Sequence, residues 1–200
     1  PRFADIDANS FCIDPNKVLD AIGDESTAIV PVHVFGNACA VDNIEEIARQ
    51  RGLKVIYDAS HAFGIKYNGK SILSYGDAST LSFHATKLFH TIEGGAIVFK
   101  RCEDLERAKL MINFGIDGPD SIKDMGINAK MNEFQAAMGL CVLDDVGEMV
   151  EQRRVVWERY QNELSGKLQM QGWRADNNNY SYYPVVFENE HRLLEVKKRL

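Results

Sequence analysis

Four residues near the middle of the chain could do chemistry together: Asp58, His61, Ser82 and Lys87. Asp58 closes the apolar run Lys54-Val-Ile-Tyr-Asp58, where a carboxylate is costly without a partner. It can act as counter-ion to a protonated ring nitrogen, which keeps an aromatic cofactor an effective electron sink, or as the N-cap of a helix starting just past the run. His61 can stack on or hydrogen-bond to a ring, or sit as a satisfied interfacial imidazole. Lys87 ends Ser82-Phe-His-Ala-Thr-Lys87, directly after another apolar run. A lysine attacks a carbonyl as the neutral amine, so it needs partial burial or a cationic neighbour; the alternative is a solvated loop lysine. Ser82 can donate to a phosphate or satisfy the end of a strand. Each signal is weak alone.

In open α/β sheets the ligand site lies beyond the carboxyl ends of the strands, so the elements around these residues decide whether they meet. Residues 1–6 and 28–34 read as strands, and Asp42-Asn-Ile-Glu45 reads as a capping box with Asp42 as N-cap. The helix it opens carries Ile44, Ile47 and Ala48 on one face and ends near Arg51-Gly52. Residues 54–58 form the next strand, a rhythm that predicts a mainly parallel sheet with covering helices. Gly36-Asn37, Asp58 to His61 and Ser82 to Lys87 then fall at one sheet edge. Tyr67-Asn-Gly-Lys70 predicts a hairpin; residues 78–83 and 96–99 predict two further strands. Glu93-Gly-Gly95 predicts a tight turn needing positive φ. Helices are expected at 101–113, 132–141 and 143–164, with a glycine- and aspartate-rich loop at 115–126, a strand at 182–187 and a terminal helix from His191.

Composition excludes several classes. Of the 200 residues, 45% are hydrophobic and 26% charged, as in an ordinary globular protein. A net charge of -6 argues against a nucleic-acid partner, which calls for a basic stripe. No apolar run approaches a membrane span. Nothing at the start resembles a signal peptide, which makes a cytoplasmic enzyme the default expectation. The chain opens without Met and stops inside a helix-like run, so a segment of a longer protein is expected. Cys12, Cys39, Cys102 and Cys141 are scattered, which supports neither a disulfide framework nor a metal site and leaves them as buried or incidental thiols.

Taken together, the motifs resemble one family. Val32-His-Val-Phe-Gly36, Tyr57-Asp-Ala-Ser-His-Ala-Phe-Gly64, Gly76-Asp-Ala, Ser82-Phe-His-Ala-Thr-Lys87 and Glu93-Gly-Gly95 match, in order and spacing, the DegT/DnrJ/EryC1/StrS aminotransferases. Asn128-Ala-Lys-Met-Asn-Glu133-Phe-Gln-Ala-Ala137 resembles their next motif, and the run from Arg153 to Tyr160 their arginine-to-tyrosine helix. The resemblance implies an α/β protein of the aspartate-aminotransferase-like pyridoxal phosphate (PLP) fold type I. Its large domain would be a three-layer α/β/α sandwich, with residues 1–142 part of it. Residues 143–200 would be a linking helix and the start of a small C-terminal domain.

By position, the resemblance makes Lys87 the Schiff-base lysine, Asp58 the partner of the pyridine nitrogen and Ser82 a hydroxyl on the cofactor phosphate. His61 stands where many members have Gln, near the cofactor's ring oxygen. Asn128 matches a residue reaching the phosphate of the neighbouring subunit's cofactor, which implies a homodimer with shared sites. Glu93 matches an acid of less defined role. The implied activity is transfer of an amino group from glutamate to a nucleotide-linked keto sugar, at C4 of a dTDP-4-keto-6-deoxyhexose bound for O-antigen or another surface polysaccharide. A C3 aminotransferase, a PLP sugar dehydratase and a catalytically silent regulatory protein are the alternatives. Dehydratases of the family carry histidine in place of the lysine, whereas Lys87 is retained here. The family's Gly-Ser/Thr phosphate-binding turn and ring-stacking aromatic lie upstream of the first residue of this chain.

Overall fold

The computed structural model describes residues Pro1–Leu200. A short helix α1 (Pro15–Ala21) is capped by the Asp14 carboxylate, which accepts from Asn16 N. Strand β1 (Ala28–Ile29), helix α2 (Val41–Arg51) and strand β2 (Lys54–Asp58) follow. Next come the hairpin β3 (Lys66–Tyr67) and β4 (Lys70–Ser71), then β5 (Ala78–Ser82) and β6 (Gly95–Phe99). The central sheet has the order β1-β2-β5-β6, with β1, β2 and β5 parallel and β6 antiparallel to β5. Helix α3 (Cys102–Met111), a small hairpin β7 (Ile116–Gly118) and β8 (Ser121–Ile122), and the long helix α4 (Glu133–Leu164) come next. The chain ends with β9 (Gln169–Met170), β10 (Val185–Val186) and α5 (Glu190–Lys197).

The strand–helix–strand expectation holds at α2, whose Ile44, Ile47 and Ala48 are buried against Ile29, Val55 and Tyr57. Burying each isoleucine contributes roughly 1.5–3 kcal/mol. Gly52 ends the helix in the left-handed conformation at φ 66°, a glycine C-cap. The Asn-Gly hairpin also forms, with Asn68 at φ 50° and Gly69 at φ 73°, the pair of positive values a type I′ turn needs.

Other local expectations fail for identifiable reasons. The expected strand at 28–34 stops at Ile29 because Pro31 has no N–H to give the ladder; pairing survives as one bridge, Val32 to Asp58. Residues 1–6 form no strand, only an Ile6–Ile13 bridge, since a turn from Asp7 to Cys12 folds the chain back on itself. The capping box is absent: the N-cap is Ala40, without a side-chain bond. Asp42 accepts instead from the Tyr67 hydroxyl at 2.8 Å, and Glu45 from Gly76 N at 2.7 Å. Tertiary donors have taken both carboxylates. Glu133–Leu164 is one helix rather than two, because Cys141-Val-Leu143 contains no breaker, and α4 runs unbroken across positions 142 and 143. Its true capping box is Asn132 with Gln135. No helix is long and apolar enough to cross a membrane.

Candidate active site

Sheet register decides which side chains share a face. Ile56 pairs with Ala78 and Asp58 with Thr80, while Thr80 pairs with Ile97 and Ser82 with Gly95. Alternate strand residues point to opposite faces, so Asp58 and Ser82 lie on one face, opposite buried Tyr57 and Ser79. That shared face also carries Val30 at 60% and Ile97 at 51% exposure, whereas the opposite face packs on α2. The carboxyl ends of β2 and β5 deliver Asp58 and Ser82 to the same edge.

No helix follows Asp58, so it is not a helix cap. One carboxylate oxygen accepts from Ser60 N at 2.9 Å, closing a turn, and the other accepts no hydrogen bond from the protein. His61 sits in the loop that follows. Its Nδ1 accepts from Phe35 N at 3.2 Å, so in the neutral ring the proton is on Nε2. Phe35 reaches this position in a left-handed conformation, φ 59° and ψ 20°, at a cost of about 1 kcal/mol. The His61 ring packs in a triangle with Phe35, 6.0 Å away and nearly parallel, and Tyr182, 4.6 Å away, the latter two rings being 5.3 Å apart. Burial lowers the His61 pKa first, the Lys87 ammonium lowers it further, and the Asp58 carboxylate opposes both. Lys87 and Asp58 thus each lie within electrostatic reach of His61.

Lys87 is half-buried in a turn closed by its own N–H on the His84 carbonyl at 2.9 Å. The two residues after it, Leu88 and Phe89, are buried and anchor that turn. Phe89 stacks on Phe63 with centroids 4.7 Å apart, which staples the Lys87 loop to the His61 loop. The Ser82 hydroxyl accepts weakly from His84 N at 3.4 Å, leaving its proton free to donate. Glu93 is exposed, with a carboxylate oxygen 3.7 Å from His84 Nε2. The paired glycines after it are needed for two different reasons. Gly94 sits at φ 150°, and a Cβ on Gly95 would lie 2.7 Å from the Leu81 carbonyl.

Two sequence candidates lie elsewhere. Asn37 is fully buried and structural: its amide donates to the Ser10 and Gly172 carbonyls and accepts from Arg174 N. Asn128 is exposed, bridged to Asn113, and no hydrogen bond ties it to Asp58, His61, Ser82 or Lys87. Sequence reasoning missed Phe35 and Tyr182, which flank His61. It also missed Asn179, whose amide bonds the carbonyls of His61 and Phe63. The only hint was the polar run Asn177-Asn-Asn179.

The donor set fits PLP. A carboxylate oxygen without a protein partner suits a protonated pyridine nitrogen, and a primary amine suits the aldehyde. The imidazole N–H suits the ring oxygen, and a hydroxyl suits the phosphate.

Comparison with known proteins agrees. The model of the DegT/DnrJ/EryC1/StrS aminotransferase family matches residues 1–199. A dTDP-4-amino-4,6-dideoxy-D-glucose transaminase of Shigella dysenteriae is 39% identical over 193 residues, covering 95% of this chain and 53% of that protein. A GDP-perosamine synthase of Caulobacter vibrioides is 36% identical over 168 residues, 82% of this chain and 45% of that one. The crystal structure of DesI with its TDP-sugar product superposes with a TM-score of 0.87 at 34% identity, covering 99% of this chain and 53% of that one. The chain thus spans about half the length of the relatives it matches. Its fold is that of the PLP aminotransferases, and the enzymes of this family depend on PLP.

Proposed function

Because this chain belongs to the DegT/DnrJ/EryC1/StrS aminotransferase family, we propose that the protein containing it moves an amino group from glutamate to a nucleotide-linked keto sugar. The observation that carries this reading is the delivery of Asp58 and Ser82 to one face and one edge of the sheet, with the Lys87 turn held against the His61 loop by the Phe63–Phe89 stack. We assign the sugar as a dTDP-4-keto-6-deoxyhexose aminated at C4, a surface-polysaccharide precursor. The names of the Shigella transaminase and of the TDP-sugar complex support this assignment.

In this proposal Lys87 binds the aldehyde of PLP and Asp58 the ring nitrogen. Ser82 holds the phosphate, and His61 donates Nε2–H to the ring oxygen. Bound there, PLP supplies an electron sink for a carbanion at the carbon next to nitrogen. In this reading the Lys87 amine takes and returns a proton at the substrate carbon. Asp58, with one oxygen already fixed by Ser60 N, keeps the proton on the ring nitrogen with the other. Asn128 is exposed beside Ile127 and Met125, apolar side chains that are 69% and 83% exposed. On the resemblance of its motif, Asn128 is assigned to the neighbouring subunit's site in a homodimer.

The test is chemical. With its upstream sequence restored, the protein is mixed with PLP and reduced with borohydride, and the modified peptide is mapped. Label on Lys87, lost when glutamate is added before reduction, is expected. A folded dimer with no label at Lys87 would return the assignment to a catalytically silent scaffold.

A further inference from the structure

Residues 172–181 lie across the loop that carries His61 and across the hairpin beyond it. Asp176 N donates to the Lys66 carbonyl at 2.9 Å. Lys66 N donates to Asn177 Oδ1 at 2.7 Å, and Asn177 Nδ2 to the Gly64 carbonyl at 3.0 Å. The Asp176 carboxylate accepts from Asn68 N and Gly69 N at 3.2 and 2.7 Å. The segment ends on Asn179, which is 2% exposed. Its Nδ2 donates to the His61 carbonyl at 2.9 Å and the Phe63 carbonyl at 3.0 Å, and its Oδ1 accepts from Ser181 N at 3.2 Å.

Each position in this contact is chemically restricted. Holding two carbonyls at once takes both hydrogens of a primary amide. A carboxylate of the same shape would set lone pairs against both oxygens, and alanine would leave both buried acceptors unpaired. On the far side stands Gly36 at φ 86°, where a Cβ would lie 2.9 Å from the His61 carbonyl and 3.3 Å from Asn179 Oδ1. Three residues past Asn179, the ring of Tyr182 packs at a 45° tilt against the His61 imidazole, centroids 4.6 Å apart. His61 is therefore held at three points: its carbonyl by Asn179, its Nδ1 by Phe35 N, and its ring by the tilted Tyr182.

We propose that Asn179 is a positioning residue for His61, fixing from the far end of the chain the direction in which the imidazole presents Nε2–H at the sheet edge. Its catalytic consequence rests on the proposed cofactor site; the clamp itself does not. Asn179 touches no reacting atom and acts through the 61–63 backbone.

The first readout needs no cofactor. In the upstream-restored protein without PLP, NMR titration follows His61, assigned with a His61→Gln variant, with His33 as internal control. In Asn179→Asp and Asn179→Ala, His61 loses its half-buried setting against Phe35 and Tyr182. Its midpoint is expected to rise toward the ordinary imidazole range, while His33 stays in place. Asn179→Ser keeps one donor and is expected to fall between, which preserves the test if the harsher variants fold poorly. With PLP and substrates present, kcat is expected to fall ~10- to 100-fold with KM for the nucleotide sugar changing less than ~3-fold, the signature of a misplaced group rather than a lost binding contact. An unmoved His61 midpoint in folded variants would overturn the clamp, as would His61 and His33 moving together with a general loss of melting temperature. If the clamp signature appears but borohydride leaves Lys87 unlabelled, the cofactor assignment falls and the clamp stands. Normal labelling with no His61 shift has the opposite meaning.

Discussion

The imidazole of His33 lies flat against the ring of Tyr57, with centroids 4.7 Å apart and planes 12° from parallel. Both side chains are fully buried. His33 Nδ1 accepts from Cys39 N at 3.1 Å, so the ring is the Nε2–H tautomer, and neither Nε2 nor the Tyr57 hydroxyl has a protein partner. Burial drives the His33 pKa down to about 4, against a partial counter-effect from the Asp58 carboxylate. The folded protein thus resists protonation that the unfolded chain accepts near its ordinary value. Stability is held above about pH 6.5 and lost as pH falls toward 4, by on the order of 3 kcal/mol from this residue. Urea midpoints at pH 7.5 and 4.5 measure the loss; equal midpoints would show that His33 is free to protonate in the fold.

Gly76 and Gly69 both sit at φ 73°, yet they predict different costs. A Cβ on Gly76 would lie 2.8 Å from the Tyr57 ring and 2.9 Å from the Val55 carbonyl, whereas one on Gly69 would meet nothing within 4 Å. Gly69→Ala is expected to cost about 1 kcal/mol of backbone strain, and Gly76→Ala about 2–4 kcal/mol once the clash is added. Denaturation of the two variants side by side separates strain from crowding. Equal losses would mean the Tyr57 ring yields freely.

Asp58→Asn is expected to retain most bound PLP but to lower turnover by roughly 100-fold or more, because an amide cannot hold the positive charge on the ring nitrogen. Lys87→Ala is expected to abolish both the visible band and the borohydride label. Steady-state rates and absorption spectra check the pair. Near-normal turnover in Asp58→Asn would remove Asp58 from the chemistry.

The placement of Asn128 in the neighbour's site can be tested by complementation. Lys87→Ala and Asn128→Ala homodimers are each expected to be nearly inactive. Random mixing of their subunits yields heterodimers with one intact and one doubly defective site, so activity should recover to roughly a quarter of wild type. No recovery after verified subunit exchange would place Asn128 in its own subunit's site.

Local pattern carried much of this fold. The apolar face of Ile44, Ile47 and Ala48, the Asn68-Gly69 turn and strands β2 and β5 were all legible, because each depends on neighbours within a few residues. Lys87 and Asp58 are singled out only through their place in ordered motifs. The failures share one physical origin: a distant group took over a local signal. Asp42 and Glu45 have the spacing of a capping box, but the Tyr67 hydroxyl and Gly76 N–H claim them. Pro31 broke a strand that hydrophobicity alone favoured. Asn179 was invisible as a site residue because its partners lie 118 and 116 positions away, and no periodicity spans such a gap.

That separation also sets an order of events during synthesis. At about 5–20 residues per second, a ribosome needs roughly 6–24 seconds to add the 118 residues from His61 to Asn179. Until then the carbonyls of His61, Phe63 and Gly64 have only water to bond, and closing so long a loop is entropically slow. The nascent sheet can form first, through β2 and β5, while the loop bearing the imidazole is the last part of the edge to set. Chaperone recognition and protease nicking during translation are expected to concentrate on residues 59–69.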